Sequence, residues 1–462
     1  MTTVLFAERA LLAGGWAHNV RLQIDTAGRI ERIEPDAGSA GAERLHGPLL
    51  PGMPNLHSHA FQRAMAGLAE VAGGSADSFW SWREQMYRLV ARLLPEQLET
   101  IARQLYIELL KAGYSSVAEF HYLHHDLHGH PYAERAELSL RLARAAGEAG
   151  IGLTLVPVLY SHSSFGGQPP GAAQRRFVLD VDGYLGLLAR LRPVLRRNGQ
   201  HLAQGFHSLR AVTPEQIARV LEDSPIDGPI HLHIAEQQKE VDDCLTWSGR
   251  RPLQWLFEHC PVDRRWCLVH ATQAQPEELA RLAASGAVAG LCPTTEANLG
   301  DGLFPAADYL AHGGRFGIGS DSQVSVSPLE ELRWLEYGQR LRDRRRNRLA
   351  RLERPAVGAV LYQAALSGGA QALGQPIGAL EVGRRADLLV LDGDDPYLAS
   401  AEGDQLLNRW LFAGNDRQVR DLMVAGRWVV REGRHADEER SARAFAKVLA
   451  TLSATPFASA AR

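Results

Sequence analysis

The chain has 462 residues, 22% of them charged, a net charge of −3 and four cysteines. That length suits one large domain with an accessory one, and the near-neutral balance excludes the basic field that gathers nucleic acid or an anionic membrane. No run of about 18 apolar residues predicts a transmembrane helix, and Met1–Ala10 has no basic stretch before an apolar core that would read as a signal peptide.

Residues 1–50 alternate apolar and polar positions around glycine turns, as in Leu22-Gln23-Ile24-Asp25, Gly28 and Ile30-Glu31-Arg32-Ile33. That is hairpin material, too short to bury a core alone. The stretch Leu50 to Gln62 follows, with His57 and His59 one residue apart. In an extended strand positions i and i+2 share a face, so both imidazoles aim at one point, as two ligands of one metal ion must.

From residue 51 to 376, short apolar runs alternate with longer amphipathic segments. The runs are Leu49–His57, Ser116–Tyr122, Gly152–Tyr160, Leu202–Phe206, Ile230–Ile234, Trp266–His270, Ala287–Cys292 and Phe316–Ser320. Between them lie helical patterns such as Glu96–Lys111, Ala133–Ala149, Pro214–Leu221 and Pro276–Ala284. Eight strands alternating with helices predict an α/β fold, a parallel (β/α)8 TIM-like barrel, with an open doubly wound sheet as the alternative. Residues 377–435 repeat the texture of the first fifty. Both chain ends are therefore expected to join in one small β-sandwich, followed by a helical tail over 436–462.

Barrel enzymes carry their chemistry at the C-terminal ends of the strands. Here the first strand ends in His57-Ser58-His59, the fifth in His233 with Glu236 three residues on, the sixth in His270, and the eighth in Ser320-Asp321. N-caps and satisfied core histidines would account for one such ending, not for four together.

These pieces, with the tail motif Leu380-Glu381-Val382-Gly383-Arg384-Arg385-Ala386-Asp387-Leu388, resemble the amidohydrolase superfamily in its mononuclear deaminase branch, and the resemblance covers nearly the whole length. It implies His57, His59, His233 and Asp321 as ligands of one divalent metal ion, taken as Zn2+. It implies Glu236, His270 and Asp321 as the catalytic groups. Three imidazoles and one carboxylate leave a position open for water, as a catalytic zinc does. Two-metal members of the superfamily bridge their ions with a carboxylated lysine from mid-barrel. Lysine occurs only at Lys111, Lys239 and Lys447, so one metal is expected. The implied reaction is hydrolysis of a C–N bond at an amidine-like or ring carbon, releasing ammonia.

His207 and Arg210 past the fourth strand, Gln62 after the first, Arg83 in the loop that follows and Tyr122 at the end of the second resemble substrate-contacting positions of the branch. Guanidinium forks pair with carboxylates in bidentate geometry, so the expected partner is a small-molecule dicarboxylate, with no nucleic acid and no membrane. A deaminase of a purine, S-adenosylhomocysteine or related ring would use the same catalytic residues. A metal-free scaffold relative would lack ligands that are all present here. A homodimer is expected from the resemblance. The scattered cysteines Cys244, Cys260, Cys267 and Cys292, in no C-x-x-C pair, point to the cytoplasm.

Several features read as plain surface or structure. His121, His124, His125, His128 and His130 are expected to coat a loop, and Arg340–Arg348 a solvated helix face. Trp80 and Trp82 belong to the loop after the first strand, and Asn298 in Cys292–Gly300 to a Pro-containing loop, as a structural residue.

Overall fold

The structure is a computed structural model describing residues 2–71 and 77–453. The N-terminal segment forms β1 (Thr3–Leu12), β2 (Gly15–Ile24), β3 (Ile30–Glu34), β4 (Glu43–Arg44) and β5 (Leu49–Pro51). Its alternation has a simple reason: Val20, Leu22 and Ile24 are buried on one face of β2, while the residues between them stay partly exposed.

The chain passes through Gly52 straight into the barrel. Its strands are β6 (Met53–Ser58), β7 (Tyr114–His121), β8 (Gly152–Leu159), β9 (His201–Leu202, beside β8), β10 (Gln204–Ser208), β11 (Ile230–Ile234), β12 (Trp266–His270), β13 (Val288–Leu291) and β14 (Arg315–Ile318). All these pairings are parallel, in the spatial order β14-β13-β12-β11-β10-β8-β7-β6. Each of the eight predicted runs forms a barrel strand. Prolines open the intervening helices at their first turn, where no N–H is needed, as Pro95, Pro214 and Pro276 do. The helix Pro276–Ser285 stops at Gly286, whose φ of +73° only glycine adopts without strain.

The barrel closes differently from the way it is built. Between β14 and β6 there is no ladder, only an isolated bridge at Ser58 and Asp321. Two backbone bonds flank it: Asp321 N–H donates to His57 O (3.0 Å) and His59 N–H to Asp321 O (3.1 Å). The strands approach so closely that a Cβ on Gly319 would sit 2.7 Å from the His57 Cβ.

After the barrel come β15 (Leu388–Leu391), β16 (Val419–Val424), β17 (Arg427–Arg431) and β18 (Arg434–His435). They join the N-terminal strands in one sheet, ordered β18-β17-β16-β15-β5-β1-β2-β3 with β4 beside β1. Leu5, Val20, Leu22, Leu388, Val390 and Met423 form its own small core, apart from the barrel's. The helix Glu438–Ser453 follows, held to the barrel by Lys111–Glu438 at 2.6 Å. The last nine positions of the expected helical tail lie outside the described residues.

Four readings change. His121 and His124 are buried, at 1% and 3% exposure, because the chain after β7 folds back and His124 N–H bonds the Arg176 carbonyl; His128 and His130 do lie on the surface. Arg340–Arg348 is not one helix face, since the helix Pro328–Asp343 stops there and Arg344 turns left-handed. Cys292–Gly300 is mostly a short helix, Pro293–Leu299, with Asn298 bonded to exposed Glu70. Trp80, Trp82 and Arg83 lie on a helix, Phe79–Val90, in place of the loop.

Candidate active site

The period of the strand decides what β11 presents. His231 turns outward and bonds the Ala372 carbonyl at 2.9 Å, while His233, two residues on, turns inward. Its Nε2 lies 2.9 Å from His57 Nε2, and His57 Nε2 lies 3.2 Å from His59 Nε2. Asp321 brings Oδ1 to 3.5 Å from His57 and 3.2 Å from His59.

The protons of this cluster can be assigned from its neighbours. His59 Nδ1 and His233 Nδ1 each face a backbone carbonyl, of Phe120 and His207, at 2.9 Å. A carbonyl only accepts, so both Nδ1 atoms carry hydrogen, and in a neutral ring Nε2 then holds a lone pair. Burial disfavours the charged ring: it lowers His57 to about 3 and His233 well below the usual histidine value. Converging lone pairs beside a carboxylate cannot satisfy each other; they form a donor set for a cation. The four side chains fit a divalent metal ion.

Next to this cage, His270 Nδ1–H donates to Glu296 Oε1 at 3.2 Å, and Glu296 also accepts the Cys292 N–H at 2.9 Å. His270 Nε2 thereby faces Glu236 Oε1 at 3.8 Å and Asp321 Oδ2 at 3.7 Å. Burial works to lower His270, but the carboxylates of Glu236, Glu296 and Asp321 outweigh it and push the ring up to about 10. Glu236 is shifted upward, chiefly by burial, with the negative charges of Asp321 and Glu240 adding to it. A carboxyl so placed holds its proton better than a free one. Burial would also raise Asp321, yet the rings of His57 and His59 beside it prevail and hold it well below the usual carboxylate range.

Backbone strain gathers at the same level. Ala235, His270, Ala271, Asp321 and Gln323 all have positive φ, between 44° and 68°. Non-glycine residues there cost on the order of 1 kcal/mol or more each, and such costs persist where a site must be held in one shape.

The cage floors a cavity that opens to solvent. His59, Gln62, Arg83, Tyr122, His207, Arg210, His233, Glu236, His270 and Asp321 line it, so every candidate residue read from the sequence meets here except His57, which is wholly buried beneath. Gln62 donates to the Tyr122 hydroxyl at 3.2 Å. The His207 ring stands edge-on to Tyr160 and Tyr122. Arg83 and Arg210 lie over the indole of Trp80, 4.5 and 5.6 Å from its centroid, and the Nε of each is buried without a hydrogen-bond partner among the described residues. Two guanidinium groups that line one cavity, and that form no ion pair among the described residues, invite an anion with two carboxylates.

The sequence reading missed Tyr87, Tyr160, Phe177 and Ser322 on the walls, and Glu296 behind His270. Tyr87 on a helix and Phe177 in a turn carry no signal of facing a cavity, whereas Tyr160 ends the run Gly152–Tyr160 and could have been noticed. Glu296 stands four residues after Cys292, and only the helix Pro293–Leu299 brings it back under His270.

A family model described as the amidohydrolase family matches residues 49–429, and one described as the N-terminal domain of the formimidoylglutamate deiminase HutF matches residues 2–47. Among known relatives, a formimidoylglutamate deiminase of Pseudomonas aeruginosa is 72% identical over 97% of this chain and 99% of its own. A 5-methylthioadenosine/S-adenosylhomocysteine deaminase of Natronomonas pharaonis is 28% identical over 83% of this chain and 81% of its own. The crystal structure of an amidohydrolase from Brucella melitensis superposes with a TM-score of 0.92 at 48% identity, over 97% of this chain and 99% of that one.

Proposed function

Because this chain belongs to the amidohydrolase family, we propose that it hydrolyses N-formimidoyl-L-glutamate to N-formyl-L-glutamate and ammonia, a deimination step of histidine degradation. The observation that carries the reading is the pair of guanidinium groups, Arg83 and Arg210, which form no ion pair among the described residues and face a cage of three imidazoles and a carboxylate. The substrate carries two carboxylates and a cationic amidine. The 72% identity to a formimidoylglutamate deiminase supports the same substrate.

His57, His59, His233 and Asp321 would hold one divalent ion, taken as zinc, which such a donor set accepts. Such an ion supplies Lewis acidity and brings the pKa of water down to about 7. The chain's own groups do the rest. Arg83 and Arg210 fix the carboxylates, with Gln62, Tyr122 and His207 shaping the space around the amidine. Asp321 Oδ2 takes the proton of the water that adds to the amidine carbon. His270, held by Glu296, presents Nε2–H to the oxygen as it joins that carbon. Glu236, whose buried carboxyl is shifted upward, delivers a proton to the departing nitrogen and takes up the hydroxyl proton as the carbon–oxygen double bond forms, so that ammonia leaves and carries off the proton held by Asp321. The reading includes a cytoplasmic location, supported by four unpaired cysteines. No described helix is long and apolar enough to cross a membrane. It also includes a homodimer, which gel filtration would measure.

The direct test is ammonia release from N-formimidoyl-L-glutamate, N-formimidoyl-L-aspartate, guanine, adenosine and S-adenosylhomocysteine, with metal content measured on the same sample. Rapid release from the formimidoyl dicarboxylates and one ion per chain are expected. Release from the ring compounds alone would overturn the substrate. The arginine argument has a test of its own. Removing a charged hydrogen-bonding group costs about 1.5–3 kcal/mol, so Arg210→Ala should lower kcat/KM on the dicarboxylate by roughly 10- to 100-fold. On N-formimidoylglycine, with a single carboxylate, the loss should be smaller; equal losses on both would remove Arg210 from carboxylate recognition.

Trp80 makes a related prediction. Its indole, shared by Arg83 and Arg210 with Lys239 at 5.8 Å, offsets the repulsion of like charges. Trp80→Leu should raise KM several-fold and leave kcat nearly unchanged, whereas Trp80→Phe should stay close to the parent; a kcat loss without a KM change would contradict this.

A further inference from the structure

Three of the four cage residues, His57, His59 and Asp321, sit on the two strand ends that share no ladder. Their spacing is therefore not fixed by a continuous row of backbone bonds. Side chains span the gap. Glu119, on β7, accepts the Ser58 hydroxyl at 2.7 Å with Oε2 and the Ala60 N–H at 2.7 Å with Oε1, gripping the residues on either side of His59. Ser58 Oγ in turn accepts an N–H of Gln323 at 3.1 Å, and the Gln323 amide also donates to the Asp321 carbonyl at 2.7 Å. Arg63 holds the Gln323 carbonyl from outside at 2.8 Å.

We infer that Glu119, Ser58 and Gln323 are positioning residues: a polar clamp across the barrel seam that sets the spacing of His57, His59 and Asp321 and so governs how tightly the cage holds its ion. The inference rests on reading that cage as a metal site. Two observations favour a clamp over general stabilisation. Glu119, Ser58 and Gln323 are 1%, 0% and 0% exposed, and among the described residues Glu119 forms no ion pair. A buried carboxyl without a cation is costly unless hydrogen bonds satisfy it, and those of Glu119 come from the two residues that flank His59. Moreover the clamp's own bonds converge on the cage: Ser58 and Ala60 adjoin His59, and Gln323 lies two past Asp321.

The experiment uses the full chain stripped of metal and titrated with Zn2+ against a chromogenic chelator, with the melting temperature of the metal-free protein measured alongside. Outer-shell partners typically govern metal affinity by about 10- to 100-fold. Ser58→Ala, which breaks both of its bonds, should weaken Zn2+ binding by that factor while the metal-free melting temperature moves little. Glu119→Gln, which keeps an acceptor for Ala60, should fall between. If Ser58→Ala does not fold, Glu119→Gln and Gln323→Ala carry the test. Affinity within twofold of the parent in these variants overturns the clamp. So does a loss of affinity that disappears once only folded chain is counted, since the residues then serve the fold alone. Absence of Zn2+ binding by the unaltered chain would instead overturn the metal reading of the cage.

Discussion

Glu236→Gln should leave the chain loaded with metal and slow its turnover by about 100- to 10,000-fold, the usual contribution of a positioned acid or base. The amide keeps the size and one oxygen of the carboxyl but cannot give up a proton. Glu236 is 5% exposed, and its backbone N–H is fixed by Glu240 at 3.1 Å, so the substitution should not disturb the turn that carries it. Metal content separates the two ways in which activity could vanish. A loaded, slow enzyme supports proton delivery by Glu236; a loaded enzyme of near-normal speed would remove Glu236 from the mechanism.

Asp321→Asn should lose on both counts. Asp321 stands at φ +44°, a conformation that Asn tolerates nearly as well as Asp, so the backbone of the seam is preserved and the charge alone is removed. Without the carboxylate the cage is three neutral imidazoles, and the purified protein should carry much less metal. Excess Zn2+ should restore the content but not the rate, which stays lower by more than about 1,000-fold because no base is left to take the proton of water. Full metal content after dialysis would argue against Asp321 in the cage, and a rate recovered together with the metal would argue against it as the base.

What the sequence made legible follows from where chemistry and periodicity coincide. His57, His59, His233, His270 and Asp321 could be read because each ends an apolar run, where a polar side chain has no packing reason to be. Arg83 and Arg210 could be proposed but not placed: that both stack on Trp80 depends on the helix Phe79–Val90 crossing the mouth, which no local pattern reveals. Glu119 was open to notice as a carboxylate inside the apolar run Ser116–Tyr122, yet its partners lie on another strand, about 60 residues earlier. The buried His121 and His124 escaped for a similar reason, since a histidine-rich stretch looks like surface until Arg176 is seen folded over it. Local pattern shows which residues can act; which of them meet is decided by contacts across the barrel.

The shared end sheet has a consequence for the order in which a growing chain can mature. β5 leaves one edge for β15, pairing Pro51 with Leu388, so that edge is covered only by residues made about 340 positions later. At synthesis rates of ~5–20 residues per second the interval is on the order of 20 to 70 s. Throughout it an apolar strand edge, Leu49 and Leu50 included, has no partner of its own and is open to pairing with other chains. The segment that leads directly into His57 is thus the last of the early segments to be secured, and a nascent chain must be shielded there until its final hundred residues emerge.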